Sequence, residues 1–179
     1  MERADRSRSC IMQENLFYGG DIPRKENVKV ADEAKTYYWV STRLIRESGP
    51  WDSECLRSPD NVRDLVRDHF DIENCDREYF IALYLDRKGK VNAANLVSMG
   101  GLHSSIVHPR EVFKPALLTS SASIILAHNH PSGDPTPSQD DISITRRLAE
   151  AGSILGIEIL DHVVVGYNNY TSFKEKGLI

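Results

Sequence analysis

The feature that most constrains this chain is the run Tyr79-Phe80-Ile81-Ala82-Leu83-Tyr84-Leu85, seven residues without a charge. A strand with one wet face alternates apolar and polar residues, so a continuous run has to be covered on both faces. Ser123 to Ala127 repeats the pattern. The fold must therefore supply a layer on each side of a central sheet. Ser58-Pro59 reads as a helix start, a cap followed by proline at the first helical position. Val62, Leu65, Val66 and Phe70 then form one apolar stripe. Helical spacing recurs from Pro109 to Leu118, where Pro115 should kink the helix, and from about Gln139 to Ala151, stopping near Gly152 and Gly156. Asp86 to Gly89 is a turn that lets Val91 to Val97 return antiparallel. The last strands are Ile157 to Val165 and Tyr170 to Phe173, joined around Asn168-Asn169. Helices interleaved with hairpins favour a mixed α/β or α+β sheet over a doubly wound parallel one.

With 179 residues there is room for one domain and an extension. Residues 1 to about 35 show no helical or strand period, so residues 1–38 are expected to form a flexible arm and 39–179 the domain. Thr36 to Ile45 is β-rich enough for a strand. No apolar stretch approaches the ~18 residues of a membrane helix. The Arg-rich start lacks the apolar core of a secretory signal. Cys10, Cys55 and Cys75 form no CxxC pair, which points to a reducing, cytoplasmic setting. A net charge of -4 gives no bulk electrostatic argument for nucleic acid.

The densest polar chemistry lies between His128 and Asp141. Two histidines at i and i+2 on a strand end project to one side. A loop stiffened by Pro131, Pro135 and Pro137 then leads back to Asp141, in the first turn of the next helix. Two imidazoles and a carboxylate with one open position make a catalytic type of zinc site, since a closed structural site would want a fourth ligand. Ser138-x-x-Asp141 also has the form of a helix cap with an acid at the third position, so Ser138 either caps the helix or steadies an oxyanion. Asp134 and Asp140 read as a turn residue and a solvated first-turn charge. No Gly-x-Ser-x-Gly elbow or phosphate loop is present.

His-x-His-Pro followed by Ser-x-x-Asp resembles the JAMM signature of MPN+ zinc metalloproteases. His108-Pro109-Arg110-Glu111-Val112-Phe113, His128 to Gly133 and Leu160-Asp161-His162 resemble the bacterial RadC family more closely, over roughly Trp39 to Ile179. The resemblance implies a JAMM/cytidine-deaminase-like fold, a mixed sheet flanked by helices, holding one Zn2+ on His128, His130 and Asp141. It implies hydrolysis of a peptide or isopeptide bond in a protein substrate. The alternative is a non-catalytic metal-binding adaptor in DNA repair, recombination or mobile-element biology. Long RadC proteins carry an N-terminal helix-hairpin-helix segment; residues 1–50 show no such pattern, so the chain resembles the short form. In JAMM proteins a glutamate precedes an apolar strand, a place that Glu78 matches. Its other reading is a charge that merely opens the strand. Glu111 is the rival base, although a helix dipole explains it as well. Asp161-His162 could orient a metal ligand or be a buried structural pair. His69, His103 and His108 read as surface or capping residues. An unpaired sheet edge would suit a homodimer.

Overall fold

The computed structural model describes residues 55–100 and 107–179. The expected arm, the strand proposed at Thr36 to Ile45 and His103 lie outside these residues. Helix α1 spans Pro59–Phe70 and is followed by a 3-10 turn, Ile72–Asn74. Strands β1 (Tyr79–Leu85) and β2 (Val91–Met99), helix α2 (Pro109–Leu118) and strand β3 (Ser123–Asn129) come next. Helix α3 (Gln139–Leu155) and strands β4 (Glu158–Val165) and β5 (Tyr170–Ser172) complete the order. The strands form one mixed sheet in the order β2-β1-β3-β4-β5. β1 is antiparallel to β2 and β3, β3 is parallel to β4 across the α3 crossover, and β5 returns antiparallel. This is the mixed sheet flanked by helices that the sequence implied. No helix among the described residues is long and apolar enough to cross a membrane.

The two continuous apolar runs are central strands, and alternate residues serve different cores. Phe80, Ala82 and Tyr84 of β1 join Ile124 and Leu126 of β3 under α2 and α3, which contribute Val112, Phe113, Ala116 and Leu148. Ile81, Leu83 and Leu85 join Ile125, Ala127, Val163 and Val165 under α1, through Val62, Leu65 and Val66. Each such side chain, fully buried, contributes about 1.5–3 kcal/mol. Tyr84 is the polar member of its core. Its hydroxyl donates to the Val112 carbonyl at 3.0 Å, tying sheet to helix. Burial pushes this phenol up to about 12.

Two local departures from simple periodicity matter. Helix α3 continues past Gly152, where the sequence suggested a stop, and ends at Gly156 in the left-handed region (φ 68°). Gly152 is small because the chain is crowded there: a Cβ would lie 2.4 Å from the Ile157 carbonyl oxygen and 3.3 Å from the Phe113 ring. In β4 the register slips between Ile124 and Ile125, so that Ile124 faces Ile159 while Ile125 faces Asp161. The extra residue rotates the strand and brings His162 onto the same face as Ile159, the face covered by α2 and α3. Strict alternation would have put His162 on the other side.

Alanine in a helix interior ordinarily gains about 1 kcal/mol over glycine. At residue 152 crowding should reverse the sign. Gly152→Ala is expected to destabilise the protein by about 1–3 kcal/mol, read as a lower urea midpoint with an unchanged slope. A raised midpoint would show that the end of α3 can move aside.

Candidate metal centre

The site forms where three elements end. β3 runs two residues further than the apolar pattern required and carries His128 on the α3 face, with His130 just beyond it. His130 is held by its backbone N–H on Val165 O at 3.1 Å. Its Nδ1 lies 2.7 Å from the Asp134 carbonyl. A carbonyl only accepts, so Nδ1 carries the hydrogen and neutral His130 turns a bare Nε2 inward. Asp134 itself is the turn residue expected: its Oδ1 accepts from the Thr136 N–H and hydroxyl at 2.9 and 2.7 Å.

Asp141 comes from the first turn of α3 and is fully buried. A capping box places it. Ser138 Oγ accepts from Asp141 N–H at 3.1 Å, and Asp141 Oδ2 accepts from Ser138 N–H at 2.7 Å. Oδ2 also accepts the Ser138 hydroxyl at 2.6 Å. The other oxygen, Oδ1, is buried without a donor. It lies 3.3 Å from His128 Nε2. The two Nε2 atoms are 3.0 Å apart, and His130 Nε2 is 3.5 Å from Oδ2. Ligand atoms sharing a tetrahedral ion at 2.0–2.2 Å bond lengths stand roughly 3.3–3.5 Å apart. His128, His130 and Asp141 therefore fit a metal ion, and an orphaned buried oxygen among them asks for a cation. Burial alone would raise the Asp141 pKa; its partners His128, His130 and Ser138 hold it far below the usual carboxylate range. The His130 imidazole is shifted up, chiefly by Asp141 and against the opposing effect of burial.

Around these three groups lies a closed shell. His128 Nδ1 is 2.8 Å from His162 Nε2, and His162 Nδ1 is 2.6 Å from Thr145 Oγ1. Burial first, and the neighbouring His128 second, drive His162 well below the ordinary imidazole range. Phe80 stacks along His128 and Phe173 along His162, with interplanar angles of 13° and 29°. Asp161 plays a separate part: its carboxylate accepts from the backbone N–H of His162 and Lys174 and from the Ser172 hydroxyl. The sequence pair thus divides into a ring that touches the site and a carboxylate that locks β4 to the C-terminal turn.

Glu78 immediately precedes β1, whose Phe80 pairs with His128 at the end of the β1–β3 ladder. Its charge helps to raise the His130 imidazole. Asn129, between the two histidines, fixes the backbone on either side of Glu78. Its amide oxygen accepts from Tyr79 N–H at 2.8 Å and its amide nitrogen donates to Arg77 O at 3.0 Å. Gly100 N–H donates to Glu78 O at 2.9 Å. Glu111 instead pairs with Arg110 at 3.1 Å on the exposed start of α2. His108 is the N-cap residue of that helix, without a side-chain capping bond. Sequence reasoning missed Asn129 and Thr145. The available signal was a side-chain amide inside the His-x-His and a hydroxyl one helical turn after Asp141.

A UPF0758 protein of Syntrophomonas wolfei is 61% identical over 126 residues, covering 69% of this chain and 54% of the relative. UPF0758 proteins of Desulforamulus reducens and Geobacillus kaustophilus are 55% and 48% identical over 124 and 137 residues. These alignments cover 69% and 76% of this chain, and 54% and 60% of those relatives. The chain thus spans about half the length of the curated relatives it matches. A model of the RadC-like JAB domain matches residues 56–178, which hold the whole sheet and every residue of the His-His-Asp cluster, and by that match the chain belongs to the RadC-like JAB domain family.

Proposed function

We propose that this domain is a zinc-dependent hydrolase of peptide or isopeptide bonds. The observation that carries the reading is the meeting of His128, His130 and the buried carboxylate of Asp141, whose Oδ1 has no donor. Zinc bound there would supply Lewis acidity and lower the pKa of water to about 7. The chain's own residues supply the rest. Glu78, at the start of β1 and near enough for its charge to raise the His130 imidazole, takes a proton at its carboxylate as water attacks and returns it to the departing amine nitrogen. Asn129 keeps that segment from drifting. Ser138 is first a structural group, because its hydroxyl proton is given to Asp141 Oδ2. To steady an oxyanion it must turn that proton outward, while Oγ goes on accepting the Asp141 N–H as the helix cap, so its two expected roles are compatible.

The purified 179-residue chain should take up one equivalent of zinc. His130→Ala and Asp141→Asn should abolish binding, measured by metal analysis after dialysis. Wild-type protein that binds no zinc at neutral pH would end this reading.

Glu78→Gln should keep the metal and lose about 10²–10⁴ in turnover of amide substrates, peptide- or isopeptide-linked. Unchanged turnover would remove Glu78 and turn attention to Glu111. A zinc-loaded wild type that cleaves no amide would favour a non-catalytic adaptor.

Ser138→Ala removes a cap and should cost about 0.5–2 kcal/mol of stability by urea unfolding, whatever its role in the chemistry. Its turnover has to be compared at equal metal loading.

A further inference from the structure

We propose that Thr145 and His162 are positioning residues, forming a hydrogen-bond relay that sets the tautomer of His128 and so presents its bare Nε2 to the metal. The proposal rests on the metal reading above, but its first test does not need a metal. Thr145 lies one turn after Asp141 on α3, and its Oγ1 is 2.6 Å from the Asp141 carbonyl oxygen. That oxygen only accepts, so the hydroxyl donates to it. The hydroxyl hydrogen is then used, and Oγ1 can only accept from His162 Nδ1, 2.6 Å away. A neutral imidazole carries a single N–H. With that hydrogen on Nδ1, His162 Nε2 is bare and accepts from His128 Nδ1 at 2.8 Å. The hydrogen of His128 is thereby held on the side away from Asp141, and its Nε2 lone pair points into the cluster.

The relay begins and ends on one metal-site residue. The backbone oxygen of Asp141 is the last acceptor of the chain, and the side-chain Oδ1 of Asp141 faces the nitrogen at its other end. All its members are buried. No carboxylate touches the His162 ring among the described contacts: Asp161 bonds its backbone N–H instead. Ligating histidines commonly have the other ring nitrogen held by an outer group, and losing that group costs about 10–100-fold in metal affinity. Here the outer group is another imidazole, which can face either way. The Thr145 hydroxyl decides which.

The experiment uses the full chain labelled with 15N at histidine, metal-free, at about pH 8, above the ordinary imidazole range. Long-range 15N–1H correlations should show His128 and His162 both with hydrogen on Nδ1 and with bare Nε2. His128 with its hydrogen on Nε2 would overturn the relay. Thr145→Val keeps the shape and removes the hydroxyl. It should allow the reversed tautomer of both rings and weaken zinc binding about 10–100-fold in chelator competition. Thr145→Ser should restore the wild-type tautomers and affinity. A valine variant with unchanged tautomers and affinity would refute the proposal. If it fails to fold, the wild-type spectrum and the serine variant decide. Expected tautomers in a wild type that binds no zinc would uphold the relay and remove the metal reading alone.

Discussion

A carboxylate with no exposed surface, Asp141, is the constraint around which this domain is arranged. Burying an unpaired charge costs several kcal/mol, so both of its oxygens need partners. Oδ2 is satisfied locally, by the backbone and hydroxyl of Ser138, which makes the acid part of its own helix start. Oδ1 is left to whatever stands between it and the two imidazoles. One residue thus nucleates α3 and completes the cluster, and the site exists only while the first turn of α3 does. Capping residues at a helix start are usually replaceable by others of their kind. Here the third position must be an acid, because the oxygen that capping does not use is the one that faces the histidines.

The sheet supplies the precision that such a cluster requires. β3 and β1 are covered on both faces, so neither can shift without opening a core. They pair as far as Phe80 and His128, and Asn129 extends the contact past that last ladder pair with a side-chain amide in place of a main-chain one. β4 runs parallel on the other side of β3 and delivers His162. The aromatic rings of Phe80 and Phe173 close the flanks. Groups held this way keep their orientation at little further entropic cost, and burial strengthens the electrostatic interactions among them.

The sequence by itself determined the layers and the three converging groups. Unbroken apolar runs of strand length suit central strands, and His-x-His on a strand end with an acid in the first turn of the next helix marks three candidate ligands. Both follow from short-range geometry: the period of a strand, the period of a helix and the stiffness of proline. What tertiary structure alone decided depended on register. The β4 bulge puts His162 on the face that alternation denies it, and nothing in Leu160-Asp161-His162 announces an extra residue. Gly152 looks like a helix stop until Phe113 and the Ile157 carbonyl are seen pressing on it. Thr145 and Asn129 read as ordinary polar residues until partners 17 and 50 residues away in sequence are brought beside them. Hydrogen-bond partners at that separation are set by how elements pack, and packing is a property of the whole fold rather than of any one segment.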